Sequence, residues 1–267
     1  MRFSQHVAEP IIGKNVRDVK KEEFLFIVSI ARTRLFTLKR EHFCTGSLIS
    51  SKHVLTAEHC FDEEILSRIR VLYGSSNLNE ADEYEAHTWI TYPEWAFVNN
   101  RRVKNEDDDI AILILTDNIR TPPNFMPGKL SFTNRIRTPL KRGIIAGWGA
   151  SNTEQSPDIM KAAVVKVLKK KECMNKIEKL VKVRTSLSGR HICSASYPYA
   201  LADDGDSGSP IFDDDNRIFG VTAAVYTEVK DLNERFNLHI SVDFYKPFIL
   251  DVMSEKYDQR ARPSFFI

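Results

Sequence analysis

The chain reads as an all-β protein of two antiparallel barrels with a C-terminal helix. Short apolar, β-branched runs separated by turn signals recur along its whole length, which favours antiparallel barrels over a parallel sheet. Residues 121–127 carry Pro122-Pro123, which disfavours helix and central strand alike and reads as a linker between two halves. Residues 244–257 place Phe248, Ile249, Val252 and Met253 at helical spacing, suited to packing on the second half.

Residues 1–10 are a polar tail. Residues 24–31 form the first apolar strand, and Arg32, Arg34, Lys39 and Arg40 then make a basic loop, read as a solvated face, with an exosite for an acidic partner as the alternative. Strand pattern continues through 47–57 and 68–73. The stretch 77–85 is acidic and turn-rich, and 110–115 is a buried strand. The second half repeats the pattern at 143–148, 162–168, 209–212 and 217–225. Residues 169–179 are charged and free of Pro and Gly, which predicts a surface helix. The expected division is 11–120 for the first barrel, 128–243 for the second and 244–257 for the helix.

With 267 residues, 42% of them hydrophobic, the chain can bury a sizeable core. A net charge of +2 gives no footprint for a nucleic-acid partner. No apolar run reaches the roughly 18 residues that would suggest a membrane span. Residues 1–10 lack the apolar centre of a secretory signal, so a secreted form is expected to have lost its leader. The triplet Asn-x-Ser/Thr does not occur. Four cysteines allow three disulfide pairings.

Three stretches carry chemistry. Gly205-Asp206-Ser207-Gly208 puts a hydroxyl on a tight glycine-flanked loop. Leu55-Thr56-Ala57-Glu58-His59-Cys60 supplies a histidine, and Asp107-Asp108-Asp109-Ile110 an aspartate at the mouth of a strand. The order His, Asp, Ser is one of the known triad orders. With these motifs the chain resembles the chymotrypsin/trypsin-like serine proteases, from Ile11 to about Met253.

The resemblance implies two six-stranded barrels of chymotrypsin type with the site between them. It implies a triad of His59, Asp109 and Ser207: His59 takes the Ser207 proton, and Asp109 orients His59. The amides of Gly205 and Ser207 become an oxyanion hole. Cys44 is expected to pair with Cys60 and Cys173 with Cys193, which implies an oxidising, extracellular setting. No cofactor and no metal are expected, because Gly74-Ser75-Ser76 stands where relatives open a calcium loop. The expected partners are a protein or peptide substrate, an activating peptidase and a protein inhibitor, with a monomer, no membrane and no nucleic acid.

Ile11-Ile12-Gly13-Lys14 resembles the family's mature N-terminus. Its freed amine is expected to pair with Asp206, with His42 as the group that can hold Asp206 before activation. Residues 1–10 then read as a propeptide remnant. Pro10 replaces the basic residue of a tryptic cut, but Val7-Ala8 and Glu9-Pro10 suit stepwise removal of dipeptides up to Ile11.

Several positions depart from the family pattern. Glu58 replaces Ala before the histidine, and Ser209 replaces a Gly. Leu201 stands on the floor of the specificity pocket, which argues against trypsin-like cleavage. Asp203 replaces a stapling Cys. Ala223-Ala224-Val225 replaces Ser-Trp-Gly, removing a hydroxyl that supports the aspartate. Leu201, Ala202, Val225 and Asn237 are expected to shape a shallow apolar pocket. The reading is a secreted, non-tryptic serine endopeptidase made as a zymogen. The alternative is a protease homologue that works by binding, as regulator or decoy. An acyl hydrolase is disfavoured by triad order and by the absence of a Gly-x-Ser-x-Gly elbow.

Overall fold

A computed structural model describes residues 11–257 except 14, 35–38, 63, 104–107, 121–125, 134–141, 151–156, 182–188, 227–230, 255 and 256. The expected tail 1–10 and most of the expected linker lie outside the described residues. The strands are β1 (Ile12–Gly13), β2 (Val16–Asp18), β3 (Ile27–Thr33), β4 (Arg40–Leu48), β5 (His53–Thr56), β6 (Ile69–Tyr73), β7 (Asp82–Thr91) and β8 (Ala111–Leu115) in the first half. The second half adds β9 (Lys129–Leu130), β10 (Arg142–Gly147), β11 (Lys161–Val167), β12 (His191–Ala195), β13 (Ala200–Leu201), β14 (Pro210–Phe212), β15 (Arg217–Tyr226) and β16 (Phe236–Ser241). The helices are α1 (Tyr92–Val98), α2 (Lys170–Val181) and α3 (Lys246–Val252).

Strands β3-β4-β5-β8-β7-β6 close the first barrel. The second runs β10-β14-β15-β16-β12-β11 and closes through β10–β11 pairing, with β2 added beside β11. β8 is buried at every residue, because it lies between β5 and β7 and its apolar side chains have cover on both faces. One apolar cluster joins the barrels: Trp95, Ile110 and Ile112 of the first pack in the same core as Phe212, Tyr245 and Phe248 of the second. Burial of this kind contributes about 25 cal/mol per Å² of apolar surface and holds the crevice geometry.

Helices α2 and α3 fall where the sequence places them. Helix α1 was not anticipated. Its signal is local: Thr91 accepts from the Glu94 amide at 3.3 Å, and the Glu94 carboxylate accepts from the Thr91 amide at 2.9 Å. This capping box satisfies two amides that the first turn leaves without intrahelical partners. The basic loop reads differently in three dimensions. Arg32 and Arg34 both pair with Glu41, Arg32 also reaches Glu64 at 2.6 Å, and Arg40 reaches Glu83 at 3.1 Å. That solvated face therefore carries an ion-pair lattice as well.

No helix among the described residues is long and apolar enough to cross a membrane.

Candidate active site

His59 is presented by a short 3-10 turn after β5, and the following residue, Cys60, is disulfide-bonded to Cys44 of β4. Cys173 and Cys193 form the second bridge. Asp109 sits just before β8, which pairs with β5 in register Thr56↔Ala111. This pairing brings residues 50 positions apart into contact. His59 Nδ1 and Asp109 Oδ2 are 2.8 Å apart, and the His59 amide donates to Asp109 Oδ1 at 3.0 Å. The hydrogen bond to Asp109 is the main cause of a His59 pKa raised above the usual imidazole value, against the opposing pull of burial.

Ser207 belongs to the second half and lines the same cavity of about 730 Å³ as His59. Its loop is held on several sides. The Ser207 carbonyl accepts from the Thr45 amide at 2.8 Å, and Gly208 donates to the Thr222 carbonyl at 2.8 Å. Gly208 has φ +82°, and a Cβ there would meet the Thr45 carbonyl and Thr56 Oγ1, so only glycine lets the loop approach β4 and β5 this closely. The Gly205 carbonyl accepts from His42 Nε2 at 3.0 Å and Thr45 Oγ1 at 2.9 Å. The Asp206, Gly208 and Ser209 amides all donate to protein carbonyls. Among the described residues, the Gly205 and Ser207 amides donate to none. Two neighbouring donors are left available beside the Ser207 side chain.

Asp206 is buried, and its carboxylate accepts from the Ile11 nitrogen at 3.2 Å, Gly149 at 2.9 Å and Asp203 at 3.1 Å. Burial raises its pKa to about 6, and these three backbone donors oppose that shift. His42, half-buried, has Ser29 Oγ 2.7 Å from its Nδ1. Burial holds its pKa down to about 4, so the ring is neutral. Ser29 was missed by sequence reasoning, since nothing local marks a serine in an apolar strand as the partner of a histidine on the neighbouring strand.

A second cavity of about 260 Å³ opens beside Ser207, with Leu201, Ala202, Ala223, Ala224 and Val225 on its apolar lining. Asp203, Asp204 and Arg235 contribute charge to it. Asn237, expected on the wall, does not line this cavity. It is fully buried one layer behind, because its amide is bound to backbone on the far side of the wall.

Glu58 is half-buried beside His59 and makes no side-chain hydrogen bond or ion pair among the described residues. Burial first, then Asp62 and Asp109, raise its pKa. Cys44, His59 and Cys60 cluster closely enough to hold an ion, but both sulfurs are committed to their disulfide and offer no thiolate.

Over 266 aligned residues the chain is 26% identical to a factor V activator of Macrovipera lebetinus, covering 88% of this chain and 89% of that protein. It is 26% identical to a trypsin of Sarcophaga bullata over 68% of each. The solved structure of neuropsin, a serine protease of mouse brain, superposes with a TM-score of 0.70 at 22% identity, covering 90% of this chain and 99% of that one. The family model for trypsin matches residues 14–249, and on that match the chain belongs to the trypsin family of serine proteases.

Proposed function

We propose that the protein is a serine endopeptidase in which Ser207 attacks the peptide carbonyl. The observation that carries this reading is the cavity shared by Ser207 and the Asp109-paired His59, with the Gly205 and Ser207 amides unclaimed beside it. A serine hydroxyl is a weak nucleophile at neutral pH and requires a base. His59 removes its proton as the tetrahedral intermediate forms, then returns that proton to the departing amine. Asp109 fixes the tautomer and stabilises the imidazolium. The two free amides receive the oxyanion, where loss of one donor typically costs about 2.7–4 kcal/mol. Water then repeats the sequence on the acyl-enzyme.

The apolar part of the 260 Å³ cavity, Leu201, Ala202 and Ala223 to Val225, supports small to medium aliphatic side chains as the preferred residue before the cut. Leu201 on that floor offers no charge to an Arg or Lys substrate. The two disulfides support an extracellular setting. Zymogen control rests on Ile11: its nitrogen lies against buried Asp206, and a freed amine there would add a positive charge to a carboxylate otherwise held by neutral donors. His42, which the resemblance offered as the holder of Asp206 before the cut, is instead bound to Ser29 and to the Gly205 carbonyl in the uncut chain, where Asp206 takes the Ile11, Gly149 and Asp203 amides.

The test is fluorophosphonate labelling of the full chain and of a form beginning at Ile11, with Ser207→Ala as control. Labelling confined to the trimmed form and abolished by the substitution is the expected result. A second reading, a binding-only homologue, is favoured by one feature: Ala223-Ala224-Val225 offers neither a hydroxyl for Asp109 nor an aromatic wall. Absence of labelling in both folded forms would establish that reading instead.

A further inference from the structure

Five buried polar side chains run in one hydrogen-bonded chain from behind the Leu201 end of the smaller cavity to the Ser207 loop, with Thr222 also on the cavity's lining. Asn237 of β16 accepts the Ala202 amide on Oδ1 at 2.8 Å and donates from Nδ2 to the Ala200 carbonyl at 3.1 Å and to Ser194 Oγ at 3.2 Å. Ser194 Oγ lies 2.8 Å from His239 Nε2, and His239 Nδ1 lies 3.1 Å from Thr222 Oγ1. Ser209 Oγ donates to Thr222 Oγ1 at 2.9 Å. None of the five is more than 2% exposed.

The Ser194–His239 contact has the distance of a nucleophile and base, yet both residues are sealed from solvent and cannot meet a substrate. Burial drives the His239 pKa down to about 3, so the ring is a neutral link. Its neighbours explain what the link joins. Asn237 binds the backbone on both sides of Leu201, the pocket floor. That floor is otherwise a two-residue strand, β13, paired with the two-residue β1. At the other end Ser209 lies two residues beyond Ser207, and its carbonyl accepts from the Thr222 amide at 2.8 Å. Neither disulfide includes a residue of 200–209. A buried polar chain with its groups paired is rigid, and one with a member missing strands its partners in a low-dielectric interior.

We propose that Asn237 and Thr222 are positioning residues for substrate selection: the chain they anchor fixes the Leu201 floor and its alignment with Ser207. The proposal rests on the endopeptidase reading above and deepens it. The covalent chemistry is left to His59, Asp109 and Ser207, while the fit of the side chain before the cut is set by the chain that runs from Asn237, behind the wall, to Thr222 on the lining.

The test uses Asn237→Ala and the isosteric Thr222→Val, in the full chain and after exposure of the Ile11 amine. It compares fluorophosphonate labelling rate with kcat and KM for acyl-tripeptide nitroanilides ending in Ala, Val, Leu or Phe. Expected is a rise in KM of about tenfold for the Val and Leu peptides and a flattened preference among the four, with labelling and kcat held within about threefold. Unchanged preference in both variants, or labelling and kcat falling together at constant KM, would overturn the proposal. If Asn237→Ala does not fold, Thr222→Val decides by the same criteria. A wild-type chain that never labels removes the endopeptidase reading and this proposal with it. A wild type that labels, with variants of unchanged preference, removes the proposal alone.

Discussion

Asp109 takes both of its hydrogen bonds from His59, one from the ring and one from the backbone amide, and among the described residues no other group donates to it. The carboxylate and imidazole therefore form a closed pair. With Ala223 in place of a hydroxyl donor, the orientation of Asp109 depends on His59 and on the chain that precedes β8.

The pair sets the pH dependence. Asp109 raises the His59 pKa above the usual 6.5, and His59 acts as a base only when neutral. Activity should therefore fall on the acid side of a pKa higher than that of a free imidazole. Asp109→Asn should lower kcat by roughly 10⁴-fold, because the ring can then adopt the wrong tautomer. It should also move the acid limb of kcat/KM to lower pH. A pH–rate profile of both forms checks each expectation, and an unmoved limb would show that Asp109 does not govern His59.

Glu58 makes a smaller contribution of the same sign, since its charge also raises the His59 pKa. Glu58→Gln should shift the acid limb down by a few tenths of a unit and leave the plateau kcat within about twofold. NMR titration of the His59 ring provides an independent measure.

Asp206 should make the uncut chain less stable as pH rises. Its folded pKa of about 6 lies above the unfolded 3.8, so its stabilising contribution is full below 3.8 and is lost as pH passes 6. The loss amounts to about 3 kcal/mol by neutral pH. Denaturant unfolding of the uncut chain and of its Asp206→Asn variant at pH 4 and pH 7 should show this difference. A freed Ile11 amine should reduce it, because a nearby positive charge lowers a carboxylate pKa.

Asp108, one residue before Asp109, ties the barrels together. Its buried carboxylate accepts from Arg190 Nε at 3.0 Å and from the Tyr245 hydroxyl at 2.5 Å, both from the second half. Arg190 also lies over the Phe244 ring, 4.6 Å from its centroid. Asp108→Ala should destabilise the fold by about 3–5 kcal/mol, since it leaves a largely buried guanidinium without this carboxylate. An unfolding free energy within about 1 kcal/mol of wild type would mean that the tie is dispensable.

Val225 lines the smaller cavity, so Val225→Gly should widen it. The ratio of kcat/KM for Phe over Val peptides should rise about tenfold or more, the range expected when a few methyl groups decide pocket fit. An unchanged ratio would place selectivity elsewhere.

The sequence by itself carried the features written in contiguous residues. The turn glycines around Ser207, the β-branched runs, the Pro- and Gly-free stretch of α2 and the helical spacing of α3 report backbone preferences that each segment expresses locally. His59, Asp109 and Ser207 could be singled out because each sits in a short motif whose order is read from the chain, and the disulfide pairs followed from the family resemblance. Even α1 had its Thr91–Glu94 signature. Only the tertiary structure decided the polar contacts made across strands. Ser29 with His42, Asp108 with Arg190 and Tyr245, and Asn237 with the pocket floor each join residues whose meeting depends on register and barrel closure. Asn237 shows the physical reason: its place in the chain gave it to the pocket wall, but strand pairing turned its amide toward buried backbone, where unsatisfied groups would otherwise be costly.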